Sequence, residues 1–111
     1  MDEQQLLTFG DDPVVEAVTT QARFERFHTE HPIVYRRLVD LAYRVKRAGH
    51  DRWAIANLWE KLRWEIAVEG LPDSTEDFKL NDHYKSRYAR LIMEREPELE
   101  GLFETRILTT P

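Results

Sequence analysis

The breakers in this chain leave little but helix-length runs between them: Pro13, Pro32, Gly49, Gly70 and Pro97. Proline suits the first turn of a helix and glycine the residue just past its end, so each run carries its own start or stop. The periodicity inside the runs agrees. After Pro32, at roughly 100° per residue, Val34, Tyr35, Leu38, Leu41, Ala42 and Val45 share an arc about 120° wide, the buried face of an amphipathic helix that ends before Gly49. The opposite side gathers Arg36, Arg37, Asp40, Arg44 and Arg47, and four-residue spacing predicts that Asp40 pairs with Arg36 and Arg44.

The neighbouring runs read similarly. A first helix is predicted over about Val14 to His28, with Asp12 as N-cap and Pro13 at N1. A third, begun by Asp51, should run from about Arg52 to Glu69 and end near Gly70 and Pro72. Its residues Ile55, Leu58, Trp59, Leu62 and Ile66 make one apolar face, while Trp53, Asn57, Glu60, Trp64 and Val68 lie nearly opposite. Two tryptophans on the back of an amphipathic helix mean either a middle helix packed on both sides or a binding surface. Asn81 is the expected N-cap of a fourth helix, about Asp82 to Glu96, stopped by Pro97. Its core arc is Tyr84, Tyr88, Leu91 and Ile92; His83, Arg87, Arg90 and Glu94 form a row beside it, with Lys85 on the other flank. Alternation in Phe78 to Leu80 and Phe103 to Leu108 suggests a short two-stranded element.

The fold class expected is therefore mainly α: a compact single domain of about four helices over residues 13–111, after a loose arm over 1–12, with a winged-helix-like variant if the strands pair. Leu38, Ala42, Val45, Ile55, Leu58, Trp59, Leu62, Tyr88 and Leu91 are the expected core. A chain of 111 residues has room for one domain. With no cysteine it holds no disulfide, thiol nucleophile or thiolate metal site. No apolar run approaches the roughly 18–20 residues of a membrane span, and Met1-Asp2-Glu3 lacks a signal peptide's basic end, so the expected location is the cytoplasm.

Chemistry finds little footing. Glu25, His28 and His31 are spaced like metal ligands, but no second Glu-x-x-His exists to complete a carboxylate-bridged pair. There is no glycine-rich phosphate loop, and neither Ser74 nor Ser86 sits in a nucleophile elbow. The expectation is a binding protein with no catalysis, metal or cofactor.

Charge suggests what is bound. The net charge of −5 conceals a basic middle: residues 34–64 carry Arg36, Arg37, Arg44, Lys46, Arg47, Arg52, Lys61 and Arg63 against Asp40, Asp51 and Glu60, between two acidic ends. In a helix-turn-helix reading the fourth helix enters DNA. Asn81, His83, Lys85, Arg87 and Arg90 would meet bases and phosphates, and Arg36, Arg37, Arg44 and Arg47 of the second helix would cross the backbone. Against this stand the overall acidity and a connection of about a dozen residues where the motif uses about 3–4. The rival reading is a protein-interaction module, an adaptor or inhibitor and in one form a homodimer, using Arg52, Trp53, Lys61, Trp64 and Val68. DNA binding is slightly favoured, because it accounts for both the basic middle and the row on the fourth helix.

From Phe24 to Leu108 the chain resembles a family of small uncharacterised bacterial and phage-encoded helical proteins. The likeness rests on His31-Pro32, Leu62-Arg63-Trp64, Phe78-Lys79-Leu80-Asn81, Tyr88-Ala89-Arg90-Leu91 and Pro97-x-Leu99-x-Gly101-x-Phe103. It implies a mobile-element origin, where small regulators and small inhibitors are both common, and it brings no activity, cofactor or site residue with it.

Overall fold

The computed structural model describes residues 13–71 and 78–104, which are mainly helical: four α-helices and no strand among them. The expected arm, the Asp12 cap, Pro72 and the strand residues from Thr105 onward lie outside the described residues. The chain divides after His31 into two units.

In the first unit, α1 spans Pro13–Glu30. It ends where Pro32 clashes with a helical conformation at the residue before it, although the His31 amide still donates to the Phe27 carbonyl at 2.8 Å. His28 stacks on Phe24 with centroids 6.1 Å apart, and His31 lies 4.8 Å from Phe27.

The second unit begins with α2, Pro32–Arg47, whose Val34, Leu38, Leu41 and Ala42 are buried. Gly49 stops it in the left-handed region at φ 101°, with its amide donating to the Lys46 carbonyl and that of His50 to Val45. This six-to-one and five-to-two pair of bonds is a Schellman closure, and glycine fits it without a Cβ penalty.

The third helix starts later than expected. α3 spans Ile55–Trp64, and Ala54 precedes it with no side-chain cap. Residues 52–54 are not helical: Ala54 is extended at φ −80° and ψ 127°, and the Trp53 amide donates to the Leu102 carbonyl at 2.9 Å. Trp53 therefore does not share a helix face with Trp64. After Trp64 the helix widens into a π-turn, Glu65–Glu69, rather than continuing as α.

Asn81 caps as expected, its Oδ1 accepting from the His83 amide at 2.9 Å, but the first turn, Asp82–Tyr84, is 3-10. Helix α4 then spans Lys85–Arg95 and stops at Glu96, extended before Pro97. Phe78–Leu80 forms no strand; Leu80 is buried in an irregular approach to Asn81. A last 3-10 turn, Pro97–Leu99, returns the chain to the core through Leu99, Leu102 and Phe103.

Helices α2, α3 and α4 pack on one another around Trp59, which is fully buried. Its ring lies 5.8 Å from that of Tyr88, and its Nε1 donates to Asp82 Oδ1 at 3.1 Å, so the polar end of the indole is satisfied. Leu38, Ala42, Leu58, Leu62 and Tyr88 are core as expected, whereas Val45, Ile55 and Leu91 are only half-buried. Burial raises the Tyr88 hydroxyl above the usual phenol range.

One buried charge joins α2 to the π-turn that follows α3. Glu65, 4% exposed, accepts from Arg37 Nε and Nη2 at 2.7 and 2.8 Å, while Arg37 Nη1 donates to Asp40 at 2.7 Å. Asp40 thus pairs three residues back rather than four. Arg37 leaves the solvent side for the edge of the core face, where its fork matches a carboxylate in two places. Those hydrogen bonds hold the Glu65 carboxyl below its usual range, against the upward push of burial.

Removing either partner leaves the other desolvated, so Arg37→Ala should cost about 2–3 kcal/mol of stability in urea unfolding, near the low end for a buried pair. The contribution of Glu65 is complete above the ordinary glutamate value of 4.5 and is lost as pH falls through the depressed folded value. Acid unfolding of Glu65→Gln should therefore lack this part of the pH dependence; an unchanged acid limb in the substituted chain would contradict the assignment.

Candidate functional site

Two large hydrophobic side chains stay in solvent among the described residues: Trp64 is 48% exposed and Val68 64%. They stand at the end of α3 and in the π-turn, where the packed face has already been taken by Leu62 and Glu65. Lys61 Nζ lies 5.1 Å above the Trp64 ring and 3.6 Å from Glu65 Oε2. The lysine so placed offers its charge beside an apolar surface, and a partner that excludes water there strengthens the cation–π contact.

On its other side Lys61 borders a shallow cleft between the end of α2 and the start of α3. Leu41, Val45 and Leu58 floor it, with Arg44 and His50 at the rim. Trp53 forms a wall, its ring 4.7 Å from that of His50 and its Nε1 enclosed without a hydrogen-bond partner among the described residues. A second cleft, against Leu102 and Glu104, takes in Arg52, Trp53 and Ile55. Of the interface residues expected from sequence, Lys61, Trp64 and Val68 are gathered by one end of α3. Trp53 and the exposed Arg52 come from the segment before the helix.

The expected nucleic-acid residues are dispersed among other tasks. Asn81 is committed to capping and Arg37 to Glu65. Arg87 Nη1 donates to the His83 carbonyl at 3.3 Å, and His83 itself is exposed. Arg90 is half-buried with Nη2 unpartnered among the described residues; burial first, and then the charge of Arg87, lowers its pKa. Lys85 is half-buried, whereas Arg36, Arg44 and Arg47 project from α2 into solvent. Residues 65–84 separate α3 from α4, a longer path than the turn of a helix-turn-helix.

At the start of α4 the charges are internally matched. Arg63 bridges Glu60 and Asp82, and its hydrogen bond holds the Asp82 carboxyl low, with smaller help from the Trp59 indole and Lys85. Tyr43 donates to Glu96 Oε1 at 2.7 Å, and that bond pushes the phenol up to about 12. No group of three or more histidines, aspartates or glutamates among the described residues is arranged to hold a metal ion. Sequence reasoning passed over Val45 and His50 as parts of a cleft; the signal available was the Gly49 stop, which turns the chain back across α2.

Comparison of the chain with protein-family models, with curated proteins and with solved structures finds no match.

The capping role of Asn81 is separable from any ligand role. Asn81→Ala should lower stability by about 1 kcal/mol in thermal or urea unfolding, and Asn81→Asp should retain most of it.

Proposed function

We propose that this chain is a non-catalytic protein-binding module, an adaptor or inhibitor, whose contact face centres on Trp64, Val68 and Lys61. The observation that carries the reading is the half-exposed Trp64 indole beside Val68, under the ammonium of Lys61. Tryptophan gains most at the centre of an interface, where its large surface leaves water at little entropic cost. A surface site of this kind needs no catalytic group. Cytoplasmic action and a mobile-element origin suit the reading, since small inhibitors work by occupying a partner's surface.

A second reading keeps a specific observation in its favour. Arg36, Arg44 and Arg47 are exposed, with no ion-pair partner among the described residues, and could follow a phosphate backbone as part of a helix-turn-helix-like DNA-binding regulator. Two features weigh against it. Arg37, Asn81 and Arg63 are already occupied inside the fold. The net charge of −5 also opposes a polyanion.

Affinity capture with the full chain, with and without nuclease and at low and high salt, separates the two. The protein reading expects a polypeptide that persists at high salt; after purification its Kd should weaken about 30-fold or more with Trp64→Ala. Recovery of nucleic acid alone, with steep salt dependence and no effect of Trp64→Ala, would replace this reading with the DNA one. Sedimentation of the isolated chain tests whether the same face forms a homodimer.

A further inference from the structure

Resting on the protein-binding reading, we infer that the cleft between the end of α2 and the start of α3 receives an acidic segment of the partner, with one large apolar side chain seated on Leu41, Val45 and Leu58. The charge pattern around the cleft argues for this occupant. Three acids that neighbour its lining residues in sequence are engaged by cations outside the cleft. Asp40 is taken by Arg37, Glu60 by Arg63, and Asp51 by Lys46 at 3.3 Å. Glu65 accepts from Arg37 Nε and Nη2, leaving Lys61 only a longer contact of 3.6 Å.

Among the described residues, what remains at the rim is Arg44, exposed and without an ion-pair partner, facing a cleft that Lys61 also lines and no carboxylate does. A guanidinium in that position is open to a bidentate carboxylate from outside. The enclosed Trp53 Nε1 has no acceptor among the described residues, and a polar group of the incoming segment supplies one after a small shift of the indole.

Continuity favours a polypeptide over a phosphate backbone. Lys61 lines the cleft and also covers Trp64, so an occupant of the cleft passes directly onto the Trp64 and Val68 surface. A nucleic-acid backbone uses the cations but leaves the apolar floor empty. A segment that alternates carboxylates with a leucine or phenylalanine uses both.

The probe is a fluorescein-labelled peptide of eight residues with a central Leu-Phe pair flanked by glutamates. Its controls are one peptide with Leu-Phe changed to Ala-Ala, one with the glutamates changed to glutamines, and a labelled DNA duplex. Anisotropy with the full chain reads affinity, and the Trp53 indole cross-peak in a proton–nitrogen spectrum reads location. The inference expects the acidic Leu-Phe peptide to bind about tenfold or more tightly than either peptide control and to move the Trp53 cross-peak. It expects Arg44→Glu and Ala48→Phe, the latter filling the cleft from its exposed edge, each to weaken binding about tenfold while circular dichroism stays unchanged. If one of these variants unfolds, the other decides.

Equal binding of the three peptides, or binding indifferent to the folded variant, overturns the inference, as does tighter retention of the duplex. The two levels fail differently. Partner capture lost in Trp64→Ala but intact in Arg44→Glu removes the cleft and spares the protein-binding reading. Capture intact in both removes the reading itself.

Discussion

A carboxylate that is 4% exposed needs a permanent cation, and Arg37 supplies it to Glu65 through two parallel hydrogen bonds. Such a pair adds modest net stability compared with apolar residues of the same shape, yet either half alone is expensive to bury. Its value lies in registration. The pair admits one placement of the end of α3 against α2, and the helix widens into its π-turn from Glu65 onward. The turn then carries Val68 into solvent next to Trp64. The proposed contact face is thus the outer side of an internal charge constraint.

The same constraint redistributes the surface electrostatics. By drawing in Arg37, Glu65 and Asp40, it removes one cation and two acids from the set available to partners. Arg63, Asp82 and Trp59 form a second closed set at the start of α4, and Tyr43 with Glu96 a third at its end. The charges left uncommitted among the described residues are exposed ones, Arg36, Arg44 and Arg47 among them. Recognition by such a body depends on where the uncommitted groups lie beside apolar surface, since a solvated ion pair contributes little to affinity.

Much of the fold was legible because helix boundaries are written locally. Pro32, Gly49, Asn81 and Pro97 each act through backbone geometry within a turn of themselves, and all four mark boundaries in the structure. Nonlocal bonds were not legible. The Trp53 amide bonds to the distant Leu102 carbonyl and Ala54 stays extended, so α3 starts at Ile55 and Trp53 lies off the Trp64 face. Arg37 reads as one more solvent-side arginine until Glu65, far along the chain, is found on the buried face of the next helix. The position of Glu65 three residues after Leu62 was a usable signal, because it continues the apolar row. Phe78 to Leu80 alternates like a strand, but among the described residues no neighbouring strand exists to receive its hydrogen bonds. At the site, the sequence pattern put Trp64 and Val68 on the back of the helix and left open whether a neighbour covers them; both are exposed, whereas the cleft depended on the path after Gly49.

Amide hydrogen exchange of the wild-type chain and of Arg37→Leu tests the central claim most directly. If the Arg37–Glu65 pair fixes the π-turn, the amides of Glu65–Glu69 should exchange about tenfold or more faster in the substituted chain, while those of Leu58–Leu62 and Tyr88–Ile92 keep their protection. Equal protection of the π-turn in both chains would contradict it.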